Sequence, residues 1–121
     1  QTRQQFGVAI GTFQSLQHRM ADMLIELEMA RSQIYRALAH LNAEPVVRDQ
    51  AIYSMKVQIG RSIKFTGYQA IQLHGGIGMT EEYSIGHYFK RLHMIDNALG
   101  TVGTHLGRMA GQYSARERKA A

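Results

Sequence analysis

Three groups of residues have types and spacings that can do chemistry. The first is the run Gln72-Leu73-His74-Gly75-Gly76-Ile77-Gly78, continued by Met79-Thr80-Glu81-Glu82-Tyr83. Its three glycines within four residues let backbone pass close to a ligand with no Cβ in the way. Peptide N–H groups at such a bend can face an anion. By composition alone, Gly75-Gly76 is also an ordinary helix C-cap. The second group is Arg3-Gln4-Gln5-Phe6-Gly7, where the guanidinium of Arg3 is permanently charged and forks onto phosphate oxygens. By itself it reads as a surface arginine before a capped helix. The third group is histidine. His87 and His93 stand six residues apart, with His105 further on. A helix brings ligands together at spacings of three or four, and no acidic residue completes such a set, so no metal site is expected. His18 and His40 read as polar positions on a helix face. The glycine run is not a phosphate-binding P-loop, because no Gly-Lys-Ser/Thr follows, and not a dinucleotide fingerprint, because no strand precedes it.

The elements that must position these residues are helical. Phe13, Leu16, Met20, Met23, Leu24, Leu27, Ile34, Leu38 and Leu41 recur at spacings of three and four, the stripe of one long helix over Gln14–Leu41. Gly11-Thr12 supplies its start, with Thr12 as N-cap, and Asn42-Ala43-Glu44-Pro45 its stop. A second helix runs from Pro45 or Val46 to His74, with Val47, Ala51, Met55, Ile59, Ile63, Thr66, Ala70 and Leu73 as its stripe. Gly60 and Gly67 within it each cost about 1 kcal/mol of helix propensity, which points to close helix–helix approach. A short helix is expected over Ser84–Leu92 and a last one over Thr101–Ser114, where Gly100, Gly103, Gly107 and Gly111 fall at helical spacings that favour tight packing. No strand is expected. The fold class is all-α, an up-and-down helical bundle with short loops.

Composition bounds the rest. The 121 residues suffice for one domain, residues 1–121, and 45% are hydrophobic, which excludes a disordered chain. The absence of cysteine excludes disulfides and thiolate metal sites and is compatible with a reducing cytoplasm. No apolar run is long enough to span a membrane, and the start does not look like a signal peptide. The net charge of +5 is spread along helices. Its one cluster, Arg116-Glu117-Arg118-Lys119, reads as a frayed, solvated tail, and no nucleic-acid motif accompanies it.

Letter by letter, Gln72 through Tyr83, the continuation Ile85-Gly86-His87-Tyr88-Phe89-Lys90-Arg91-Leu92 and the earlier Arg3-Gln4-Gln5-Phe6-Gly7 resemble the C-terminal signature of flavin-dependent acyl-CoA dehydrogenases. The resemblance covers nearly all of the chain. With Gln1 in place of Met, it implies a C-terminal piece of a longer flavoprotein, without the family's N-terminal helical domain, middle β domain and first helix of the last domain. It implies FAD as cofactor, acyl-CoA as substrate and a bacterial, cytoplasmic setting. Arg3, Gln5 and Phe6 are then FAD contacts, Arg3 reaching the pyrophosphate held by a neighbouring subunit. Gln72, Gly75 and Gly76 would approach the adenosine diphosphate half across a dimer interface, and Thr101 would join the cofactor contacts.

The same resemblance singles out Leu99. The family's better-known members carry a glutamate before a Gly-Thr pair ahead of the last helix, and it removes the α-proton while the β-hydride goes to flavin. Here the pair is Gly100-Thr101, and Leu99 before it cannot accept a proton. The family's glutamine shortly afterwards is replaced by Gly103. Leu99 and Gly100 are therefore expected to contact substrate, the Leu99 N–H bonding a thioester carbonyl. No catalytic residue is expected in this chain, and the base is expected upstream of it. The isolated chain is expected to be inactive. The alternative is a non-catalytic partner subunit of a heteromeric dehydrogenase, since Gly78 to Leu92 most resembles the small subunit of bacterial pimeloyl-CoA-type dehydrogenases. Glu81 and Glu82 are then capping residues. A helical interaction module without flavin rests on bundle physics alone. With one helix of the bundle missing, part of the apolar stripes would lack cover, so a homo- or hetero-oligomer is expected.

Overall fold

Pro45 and Gly75 bound the longest helix, each by its backbone chemistry. The computed structural model describes residues 4–5, 8–9, 14–75 and 84–120. Along the chain come β1 (Gln4–Gln5), β2 (Val8–Ala9), α1 (Gln14–Ala39), α2 (Pro45–His74), α3 (Ser84–Asn97) and α4 (Val102–Ala120). Pro45 sits in the first turn of α2, where its missing N–H has no partner to lose. Gly75 closes α2 at φ 61°, ψ −150°, a region open essentially to glycine, and its N–H bonds the Gln72 carbonyl. Thr12, proposed to cap α1, lies outside the described residues.

The helix α2 is the centre of the fold. It runs antiparallel to α1, as cross-links from Arg19 to Gln69 and from Glu26 to Ser62 show. The buried Ser62 hydroxyl donates to Glu26 Oε2 at 2.7 Å, and Gln58 Nε2 donates to the same oxygen at 3.1 Å. On its other side α2 meets α3 and then α4. A Cβ built on Gly67 would stand 2.7 Å from Phe89 Cδ2, and one on Gly60 would stand 2.5 Å from Val102 Cγ2. Both glycines therefore serve the close helix approach expected of them. Contacts step along α2 from Gly67 through Gly60 to Tyr53 as the chain runs from Phe89 through Asp96 to His105.

The all-α class holds, and several details depart from expectation. Gln4–Gln5 and Val8–Ala9 pair antiparallel, with Gln5 opposite Val8. This pairing needs only a two-residue connection, too short for periodicity over longer windows to detect. The α3 helix continues past Leu92 to Asn97, because Asp96 extends its buried row with a carboxylate rather than a hydrophobe. The α4 helix continues past Ser114 to Ala120. Arg116, Glu117 and Arg118 are exposed, yet they belong to a helix, not a frayed tail. Residues of good intrinsic propensity extend it without an apolar stripe. Tight packing at the α4 glycines is also overturned among the described residues: nothing lies within 4 Å of a Cβ on Gly107 or Gly111. The inward face of α4 is Val102, His105, Met109 and Gln112 instead.

On α1, Met23, Glu26, Ala30, Gln33 and Ala37 form the covered face. Much of its apolar stripe is uncovered: Leu24 is 58% exposed and Leu38 56%. Among the described residues no helix is long and apolar enough to cross a membrane.

Candidate functional site

The chain leaves α3 through Ala98, Leu99, Gly100 and Thr101 and enters α4 at once. Two of these four residues have left-handed backbones, Leu99 at φ 62° and Gly100 at φ 106°. Glycine adopts that region freely; leucine does not, so the turn stores strain at Leu99. The Ala98 N–H bonds the carbonyls of Met94 and Ile95 at 3.1 Å, and the Gly100 N–H reaches Asn97 O at 3.4 Å. The Leu99 N–H between them has no backbone partner among the described residues. Its side chain is 90% exposed. A free N–H at a strained, fixed turn is a preorganised donor for an oxyanion or carbonyl.

Thr101 caps α4: its Oγ1 accepts from the Thr104 N–H at 3.3 Å. From α2, Lys56 Nζ donates to Ala98 O at 2.9 Å. Asp96 is 2% exposed, pairs through Oδ2 with Lys64 Nζ at 3.5 Å and leaves Oδ1 without a hydrogen-bond partner among the described residues. Beneath the turn, His105 is 3% exposed, and neither ring nitrogen has a hydrogen-bond partner among the described residues. Its ring lies 5.6 Å from that of Tyr53, over which the Arg108 guanidinium sits at 5.7 Å. A Cβ on Gly100 would stand 3.1 Å from His105 Nε2, so the turn needs glycine there for space as well as for φ.

The second group lies at the far end of α2. Gln72 and Gly75 are both exposed there. Gln72 is twelve residues beyond Gly60, the level of the turn, which along a helix is roughly 18 Å. The residues singled out from sequence thus form two groups: Leu99, Gly100 and Thr101 in one turn, Gln72 and Gly75 at a helix end. Arg3, Phe6, Gly76 and the run 77–83 lie outside the described residues, as does the side chain of Gln5. Among the histidines, His40 Nδ1 meets Arg36 O at 2.8 Å and His93 stacks on Phe89 at 6.4 Å. Among the described residues no cluster of three or more histidine or acidic side chains could hold a metal ion.

Sequence reasoning missed Lys56, Lys64, Asp96 and His105. The one available signal was the spacing of Lys56, Gly60 and Lys64 by four, which puts all three on one face of α2.

Comparison with known proteins shows what the chain is similar to. The model of the acyl-CoA dehydrogenase C-terminal domain matches residues 1–113. Acyl-CoA dehydrogenase IpdE2 of Mycolicibacterium smegmatis is 34% identical, over 91% of this chain and 33% of its own length. A solved Tcur3481-Tcur3483 steroid ACAD variant superposes with TM-score 0.86 at 30% identity, over 99% of this chain and 32% of that one. The FAD complex of PigA superposes with TM-score 0.81 at 31% identity, over 95% of this chain and 30% of that one. The chain spans about a third, or less, of the length of the relatives it matches.

Proposed function

The chain belongs to the acyl-CoA dehydrogenase family as its C-terminal domain, and from that premise we propose that it contributes the FAD contacts, thioester turn and subunit interface of a dehydrogenase acting on acyl-CoA. The observation that carries this reading is the Leu99 N–H, without a backbone partner among the described residues, in a turn with two left-handed residues capped onto α4. In this role Leu99 binds the thioester carbonyl through its backbone and strengthens its hold as enolate charge develops. Its exposed side chain lines the acyl group, and Gly100 keeps the approach open.

The residues present fit FAD. Gly75 offers an exposed backbone without a Cβ, at a conformation only glycine tolerates, beside the exposed amide of Gln72. Arg3 supplies the guanidinium for a pyrophosphate, with Gln5, Phe6, Gly76 and Thr101 as further contacts. When bound, FAD supplies the hydride acceptor for α,β-dehydrogenation. The two groups, at two levels of α2, serve different parts of the assembly: the turn faces substrate, and the Gln72–Gly75 end reaches cofactor across a subunit interface. The uncovered stripe of α1, with Leu24, Leu27 and Leu38 exposed, supports assembly into a homo- or hetero-oligomer.

No side chain in the turn can take the α-proton, so the base comes from another segment of the full-length protein. A second reading draws on the same position: with Leu99 where a carboxylate would act, the full-length protein is a non-catalytic partner subunit. Anaerobic mixing of the full-length flavoprotein with a panel of acyl-CoA thioesters separates the two. Flavin reduction by wild type and by Leu99→Ala, with altered chain preference in the variant, supports an active enzyme with its base elsewhere. Reduction only in Leu99→Glu, where a base contributes about 10²–10⁴-fold, supports the partner-subunit reading. Full-length protein that binds neither flavin nor acyl-CoA refutes both.

A further inference from the structure

We infer that Lys56 is a positioning residue for the Leu99 N–H, fixing from α2 the direction in which the turn presents that donor. The inference rests on the reading of this turn as the thioester site. Its starting point is the peptide plane. The Ala98 carbonyl and the Leu99 N–H belong to one rigid amide and point in opposite directions. A hydrogen bond that holds the carbonyl therefore aims the N–H. Lys56 Nζ holds that carbonyl at 2.9 Å, across 42 positions of sequence. The donor is an ammonium, so the bond also polarises the amide and makes the N–H on its far side a stronger donor.

The turn needs such a hold. Leu99 at φ 62° lies outside the comfortable range of a leucine, and a strained residue persists only where its surroundings over-determine it. The free N–H itself contributes nothing to holding the turn, because it has no backbone partner among the described residues. The α2 helix supplies the restraint along one face. Lys56 grips the carbonyl, Gly60 admits Asp96 and Val102 to close approach, and Lys64 pairs with Asp96 at 3.5 Å. The Lys64 and Gly60 contacts fix where α3 ends and α4 begins. Among the described residues Lys56 is the hydrogen-bond partner of the peptide unit that carries the Leu99 N–H.

A carbonyl-specific measurement tests this. The full-length flavoprotein is titrated calorimetrically with a thioester that cannot react, an acyl-CoA lacking α-hydrogens, and with the matching S-alkyl-CoA thioether, which lacks the carbonyl. Wild type prefers the thioester. Lys56→Met should lower that preference about tenfold, the scale of one charge-assisted hydrogen bond, while leaving thioether affinity within about twofold. Lys56→Arg, which keeps a cationic donor, should retain the preference. Lys56→Gln, too short to reach Ala98, should lose it as the methionine variant does and decides the matter if Lys56→Met folds poorly. Wild-type preference in both the methionine and glutamine variants overturns the role of Lys56 and leaves the thioester turn standing. Loss in the arginine variant equal to that in methionine overturns it too, because the donor is then not what matters. Absence of any preference in wild type overturns the thioester turn, and this inference with it.

Discussion

Replacing Gly60 with alanine sets two known effects against each other. Helix propensity favours the change by about 1 kcal/mol. Packing opposes it. The new methyl would sit 2.5 Å from Val102 Cγ2, where carbon atoms prefer about 3.5–4.0 Å. It would also press on Asp96, which is 2% exposed and tied to Lys64, so the carboxylate cannot swing into water. Overpacking of this kind costs about 1–3 kcal/mol, and with two helices blocked at once the upper part of that range applies. The net expectation is a loss of about 1–2 kcal/mol. For a chain of 121 residues that lowers the thermal midpoint by about 4–8 °C. The internal control is Gly107→Ala, which places the same methyl in open space and should raise the midpoint by up to about 4 °C. Thermal unfolding followed by circular dichroism, with urea titration as a second probe, gives both values. A Gly60→Ala protein as stable as wild type would refute the close approach of α2 to Asp96 and Val102.

Other outcomes follow from the same contacts. Glu26→Ala removes the acceptor shared by Ser62 and Gln58 and should cost about 1 kcal/mol; paired with Ser62→Ala the losses should fall short of additivity, as a double-mutant cycle in urea would reveal. In the full-length protein, Arg3→Ala should weaken FAD binding by about 1.5–3 kcal/mol, and Gly76→Val should weaken it by steric exclusion. Unchanged flavin content in both would remove Arg3 and Gly76 from the cofactor site. Sedimentation should find a dimer or larger species, and Leu24→Glu with Leu38→Glu should shift it toward monomer, since both leucines are more than half exposed in one chain.

What the sequence made legible was set by backbone chemistry and periodicity. Pro45 and Gly75 mark the ends of α2 because each restricts or frees φ whatever its neighbours do. Gly60 and Gly67 were legible as close-approach positions because glycine in a long helix needs a reason. Burial of polar side chains defeats such reading. Asp96 looks like the end of an apolar pattern yet is inside, so α3 stretches beyond the segment expected for it. His105 looks like one of several scattered histidines yet is nearly sealed under Gly100. Glycine spacing on α4 misled for the opposite reason. The period was real, but Gly107 and Gly111 lie on a face that no described residue covers within 4 Å of a Cβ. The position of Leu99 came from the family frame alone. For Lys56 the letters offer only its spacing of four from Gly60 and of eight from Lys64, because a bond spanning 42 positions leaves no trace in neighbouring letters.

One helix therefore connects the two halves of the candidate site. Midway along α2, Lys56 meets the turn while Gly60 and Lys64 meet its flanking residues Asp96 and Val102; at its end, Gln72 and Gly75 are exposed. The helix is stiff, so these levels keep their separation of roughly 18 Å, and neither can move toward the other without unfolding α2. Short-range perturbations should consequently remain local. A methyl at Gly60 displaces Asp96 and Val102, both near the turn, while the C-cap at Gly75 rests on its own φ and its bond to Gln72. Under the proposed function, Gly60→Ala should weaken binding of a thioester more than binding of flavin, and Gly76→Val should do the reverse. Equal loss of both ligands in both variants would mean that α2 transmits strain along its whole length, and the two groups would then have to be treated as one site.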